Sequence, residues 1–203
     1  MSILVLTTGG TIGALPYEDP SNPPAFSEMP PDRRDLVCEA LNGKSFSFAQ
    51  TRCVSLPPRD SKEIDAGYRD SMLEKIVEMP EKLVLITHGT DRILGTAAYF
   101  YQHYKTVPGL ANKAIILTGA MVPLANGPAS DGFLNLEFSL RKLMEFENAA
   151  ESGRRALCRT YIVLCDHDVT GNWAPHLYPY APGRYEKIYT ADSRYNKIQE
   201  TAA

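Results

Sequence analysis

The chain alternates short apolar runs with amphipathic stretches. Near-continuous apolar runs occur at 3–6, 83–86, 114–117 and 161–165, and each ends in a polar or glycine-bearing turn. Runs of that length with no polar alternation suit strands buried on both faces of a parallel sheet. A weaker strand is expected within Phe46 to Ser55. Helical spacing lies between the runs. Ile64, Tyr68, Met72 and Ile76 fall four apart, and Pro80 stops that helix. Leu94, Ala97, Ala98 and Tyr101 mark a second helix, and Phe133, Leu136, Leu140 and Leu143 a third. Strands alternating with helices imply right-handed βαβ crossovers and one doubly wound, mostly parallel α/β sheet spanning residues 1–203 as a single domain.

Two stretches break this rhythm. Residues 14–31 carry Pro16, Pro20, Pro23, Pro24, Pro30 and Pro31, and residues 170–185 carry Pro175, Pro179 and Pro182 among aromatics. Both read as loops, either irregular surface connections or segments that cover a binding site.

Composition narrows the functional class. A chain of 203 residues with 44% hydrophobic content can bury a sizeable core. A net charge of −3 with no run of like charges gives no footprint for nucleic acid or an anionic membrane. No apolar stretch approaches the roughly 20 residues needed to span a bilayer, and the N-terminus lacks the basic and hydrophobic regions of a signal peptide. Cys38, Cys53, Cys158 and Cys165 form no C-x-x-C pair. They read as unpaired thiols in a reducing compartment, so a cytoplasmic protein is expected.

In open α/β sheets ligands bind beyond the carboxyl ends of the strands. The informative residues are therefore Thr7-Thr8-Gly9-Gly10-Thr11-Ile12-Gly13, Thr87-His88-Gly89-Thr90-Asp91 and Thr118-Gly119-Ala120-Met121-Val122-Pro123. They offer hydroxyls, one carboxylate and many backbone N–H groups, but no metal cluster. Gly9 and Gly10 permit a tight turn whose N–H groups can hold an oxyanion, with the Thr11 hydroxyl presented at the bend. The competing reading, a phosphate loop, is poorly matched: only part of G-x-G-x-x-G is present. Thr90 and Asp91 stand where a helix cap is expected, and capping is compatible with catalysis. His88 is open to two readings, a general base or a structural histidine.

Thr8-Gly9-Gly10-Thr11-Ile12 followed by His88-Gly89-Thr90-Asp91 resembles the two signature motifs of the bacterial-type L-asparaginases. Thr118-Gly119-Ala120-Met121-x-Pro123, then Ser130-Asp131-Gly132 with Asn135-Leu136, resembles that family's next block. The likeness covers roughly residues 1–166. It implies the fold of the asparaginase N-terminal domain, in the manner of the short members that lack a second domain. It also implies hydrolysis of L-asparagine to aspartate and ammonia through a threonine acyl-enzyme, without a metal or organic cofactor. By resemblance Thr11 is the nucleophile, assisted by Tyr17, and Thr90 belongs to a second triad with Asp91 and Lys187, for which Lys142 and Lys197 are rivals. Gly10, Asp60, Ser61, Gly89 and Ala120 take the substrate-binding places, Ser61 holding the substrate carboxylate. Lys62 departs from the family pattern, in which the next side chain is small or neutral. That departure favours one alternative, a related amidase with a larger substrate; a non-catalytic ligand-binding domain of the same fold is a second. A site built from one domain's loops stands open to water on one side, so a homodimer or larger assembly is expected, with the aromatic 170–185 segment at or near a subunit contact or folded over its own site.

Overall fold

The computed structural model describes residues 2–16, 35–151, 160–167 and 173–182. The apolar runs become parallel strands β1 (Ile3–Thr7), β3 (Leu83–Thr87), β4 (Ala114–Thr118) and β5 (Thr160–His167). β2 (Thr51–Ser55) lies on the outer side of β1. Its residues are half-buried or exposed, which is why its apolar signal is weak. The helices are α1 (Val37–Leu41), α2 (Ala66–Glu78), α3 (Ile93–His103) and α4 (Asp131–Glu151). α2 starts after Ile64, because the Asp65 carboxylate accepts the Tyr68 N–H and caps the first turn. It stops at Glu78, two residues ahead of Pro80.

The strand order is β2-β1-β3-β4-β5, closed at the far edge by a sixth strand, β6 (Trp173–Pro179). The sheet is thus mixed and mostly parallel, with helices on both faces. Alternate residues of the buried strands serve two cores. Leu4, Leu6, Val84, Ile86, Ile115 and Leu117 pack with α2 and α3, and Ile3, Val5, Leu83, Leu85 and Ile116 pack with α1 and α4. No described helix is long and apolar enough to cross a membrane.

Two sequence expectations are corrected. Residues 173–179 of the 170–185 segment form a strand, pairing antiparallel with β5 from His167↔Trp173 to Tyr161↔Pro179. Prolines lack the N–H of an inner ladder, but an edge strand has one side with no neighbour, so Pro175 and Pro179 are tolerated there. Trp173, Tyr178 and Tyr180 pack against the core beside α3, and Tyr180 stacks obliquely on Tyr101. Tyr185 and the rest of that segment lie outside the described residues. Cys38 and Cys53 are not unpaired thiols either: they form a disulfide between α1 and β2, which removes the thiol argument for a reducing compartment. Cys165 is buried, and burial pushes its thiol up to about 12. Cys158 and most of the proline-rich 14–31 segment fall outside the described residues.

Candidate active site

Order 2-1-3-4-5 has a topological switch point. From β1 the chain winds outward to β2, then crosses back to β3 on the other side of β1. A crevice forms at the carboxyl ends of the two strands where winding reverses. Here those strands are β1 and β3, and Thr11 and Thr90 follow directly from them.

The strand ends are level. Ser55, Thr7, Thr87 and Thr118 stand in one register row across β2, β1, β3 and β4. The turns beyond that row interlock through glycines. A Cβ at Gly10 would sit 2.6 Å from the Gly89 nitrogen, one at Gly89 would sit 2.7 Å from the Ser61 Oγ, and one at Gly119 would sit 3.0 Å from the Thr90 Cγ2. The Thr8 hydroxyl adds a tie, donating to the Thr87 carbonyl at 2.8 Å. Four turns, after β1, β2, β3 and β4, are therefore in mutual contact. Thr11, Thr90 and Asp91 are partly accessible within this cluster, whereas Ser61 and Ala120 are buried.

Gly10 is the hinge of the arrangement. Its φ of 82° and ψ of 171° lie in territory open essentially to glycine alone, and it leads straight into the 3-10 turn Thr11–Gly13. Ser61 opens a similar short turn, held by the Asp60 carboxylate accepting the Lys62 N–H at 2.9 Å. Thr90 opens a third, Thr90–Arg92, which runs into α3.

Three supports were not legible as such in the sequence. Asp35, just ahead of α1, accepts the N–H groups of Gly9 and Val37, each at 3.2 Å, and so ties the first turn to the start of that helix. Burial raises the pKa of its carboxyl, against the lowering effect of the Thr7 hydroxyl and those two N–H groups. Asp131 accepts the N–H groups of Met121 and Val122 at 2.8 Å each, and Asn135 donates to the Gly119 carbonyl at 2.9 Å; together they fix the turn after β4. Lys62 places its ammonium 3.5 Å from Asp91, a cation the sequence reading had not put there. Of the resemblance-derived helpers, Tyr17, Lys187 and Lys197 lie outside the described residues. Lys142 lies on α4 and pairs with Glu145 at 2.7 Å, a helix-face ion pair.

The two readings of His88 are separated by its contacts. The ring is fully buried. Nδ1 lies 2.6 Å from the Gly89 carbonyl and Nε2 lies 3.0 Å from the Thr96 Oγ1. Both nitrogens are engaged by the protein, so the ring offers no lone pair to a substrate. Burial pushes its pKa down to about 4, opposed by the Gly89 carbonyl and reinforced by Arg69. The folded value is thus below the ordinary 6.5. As pH falls through 6.5 the unfolded chain takes a proton that the folded chain refuses, so stability is lost from there down towards pH 4. The loss is about 1.4 kcal/mol per pH unit from this group. An NMR titration should find the His88 ring neutral at pH 5; a midpoint near 6.5 would contradict the assignment.

Among the described residues no group of three or more His, Cys, Asp or Glu is arranged to hold a metal ion.

Residues 2–154 match the family model described as asparaginase, N-terminal. No curated protein matches the chain. Among solved structures it is similar to a "Probable Cytoplasmic L-asparaginase" from Campylobacter jejuni, with a TM-score of 0.57 and 21% identity over 82% of this chain and 44% of that one. It is also similar to a thermostable L-asparaginase from Thermococcus kodakarensis, with a TM-score of 0.51 and 21% identity over 81% of this chain and 45% of that one. At this identity the likeness shows a shared fold. The chain spans less than half the length of either structure.

Proposed function

Because the chain belongs to the asparaginase family, we propose that it is an amidohydrolase converting L-asparagine to L-aspartate and ammonia, with Thr11 as the nucleophile. The observation that carries this reading is the contact of Gly10 with Gly89 at the switch point. It brings together the two turns that bear Thr11 and Thr90, each threonine directly following one of the touching glycines.

The chemistry follows from those groups. The Thr11 Oγ attacks the side-chain amide carbon, a new C–O ester bond forms, and the C–N bond breaks. Nitrogen leaves as ammonia, carrying the proton that Thr11 gave up. Water then cleaves the ester, restoring the Thr11 hydroxyl and releasing aspartate. A threonine hydroxyl is a weak nucleophile until a hydrogen-bonded partner takes its proton. His88 is unsuited to that task, as both its nitrogens are occupied. The task falls to Tyr17 for Thr11, and to Thr90 acting with Asp91 and Lys187. Gly10, Asp60, Ser61, Gly89 and Ala120 form the proposed substrate-binding surface, on which the Ser61 hydroxyl meets the substrate carboxylate.

A second reading, an amidase preferring an amide other than asparagine, is favoured by one contact. Lys62 puts an ammonium beside Asp91, next to Thr90. By pairing with Asp91, this cation offsets the negative charge that would otherwise attract a substrate α-ammonium. At a solvent-exposed site the lost attraction is of order 1 kcal/mol, or about fivefold. Ammonia release from a panel of amides, with and without an α-ammonium, tests both readings. Lys62→Gln should raise kcat/KM for asparagine about fivefold relative to amides lacking the α-ammonium. An unchanged ratio would remove Lys62 from substrate selection, and no ammonia from any amide would leave only ligand binding.

A further inference from the structure

A chain of buried and partly buried hydrogen bonds reaches the site from behind. Arg69 on α2 lies with its Nε 3.2 Å from the Thr96 Oγ1 on α3. The Thr96 Oγ1 lies 3.0 Å from the His88 Nε2, and the His88 Nδ1 lies 2.6 Å from the Gly89 carbonyl. The polarity of this chain is fixed by chemistry. A guanidinium only donates and a carbonyl only accepts. Nδ1 must therefore carry the ring proton. The neutral ring then presents the Nε2 lone pair, which accepts the Thr96 O–H, and the Thr96 oxygen accepts the Arg69 N–H. All three bonds point the same way, from the guanidinium to the peptide that joins Gly89 to Thr90.

We propose that Arg69, Thr96 and His88 form a positioning relay that fixes the Gly89–Thr90 peptide, and with it Thr90, in the site. The supporting facts are independent of any ligand. Thr96 and His88 are both completely buried. An alanine or valine at 96 would meet the packing need, so the hydroxyl has another use. The carbonyl it serves at one remove belongs to Gly89, the residue in contact with both Gly10 and Ser61. Buried hydrogen bonds aligned in one direction strengthen one another, and the low dielectric makes each missing partner costly. A flip of the ring to the Nε2–H tautomer would set two acceptors, Nδ1 and the Gly89 carbonyl, against each other at 2.6 Å. The relay thus admits one tautomer and one orientation of the peptide. Asp65 attracts the Arg69 guanidinium, while Arg92 repels it.

The role of Thr90 in catalysis rests on the proposed activity, but the relay is judged separately by the ring itself. The test is nitrogen NMR of histidine-labelled protein at pH 7, with His88 identified among the four histidines by loss of its signal in His88→Asn. Wild type should show a neutral ring protonated at Nδ1. Thr96→Val should leave the proton on Nδ1, which the Gly89 carbonyl still fixes, but move the Nε2 resonance towards that of an unbonded lone pair, and Thr96→Ser should restore the wild-type Nε2 shift. Where the wild type releases ammonia from an amide, Thr96→Val and Arg69→Met should lower kcat about 10- to 100-fold with little change in KM, as misplacement at a distance does, and Thr96→Ser should recover most of it. A wild-type ring that is cationic or protonated at Nε2 overturns the relay. So does a Thr96→Val protein whose Nε2 resonance is that of wild type. Absence of ammonia release from the wild type would count against the proposed activity alone, leaving the tautomer result to stand.

Discussion

Thr11→Ala is expected to lower ammonia release from asparagine by roughly ten-thousandfold or more, as removal of a nucleophile does when the remaining groups act as one unit with it. The fold should survive. Thr11 is partly accessible, and its backbone carbonyl, not its side chain, closes the 3-10 turn by accepting the Ala14 N–H at 3.1 Å. Alanine keeps that bond. Thr11→Ser keeps the oxygen and should retain part of the rate. Steady-state ammonia release, alongside circular dichroism to confirm folding, distinguishes a lost nucleophile from a lost structure. Turnover of Thr11→Ala near the wild-type rate would sink the assignment.

Gly10→Ala should damage both stability and activity. The residue sits at φ 82°, and its Cβ would approach the Gly89 nitrogen to 2.6 Å and the Gly89 Cα to 2.8 Å. The backbone strain is about 1–3 kcal/mol, and forcing two packed segments apart adds a comparable amount. A loss of roughly 2–6 kcal/mol is therefore expected, read from urea unfolding. Because the strain is relieved only by moving the turn of Thr11 away from that of Thr90, ammonia release should fall even where the protein stays folded. Wild-type stability and activity in this variant would show that the two turns do not interlock as described.

The central strands were legible in the sequence because they are buried on both faces. Leu4, Val5, Val84, Leu85, Ile115 and Ile116 leave no polar alternation to obscure the pattern. α2, α3 and α4 were legible from spacing for the complementary reason: each buries one stripe. β6 was not, since Pro175 and Pro179 argue against a strand unless its place at the sheet edge is already known. The Cys38–Cys53 disulfide was hidden because it depends on α1 packing beside β2, not on any spacing along the chain.

The site divides in the same way. Thr11, Thr90 and Asp91 could be picked out because they follow strand ends, and the fold converts that position into proximity. Asp35 could not, as it lies in a stretch without periodicity and acts only by reaching back to the Gly9 N–H. Arg69 and Thr96 read as ordinary helix residues until the hydrogen bonds between α2, α3 and His88 are seen. Lys62 departs from the family pattern in sequence, but its partner Asp91 lies 29 positions away and is met only in the folded chain.

The most direct measurement is to catch the acyl-enzyme. Rapid acid quenching of the protein during turnover of asparagine, followed by protease digestion and mass mapping, should place an aspartyl ester on Thr11 in the peptide that contains Gly9 and Gly10. The ester should be absent from Thr11→Ala. Ammonia release with the ester on Thr90 instead, or with no ester on either threonine under conditions that preserve one, would contradict the mechanism.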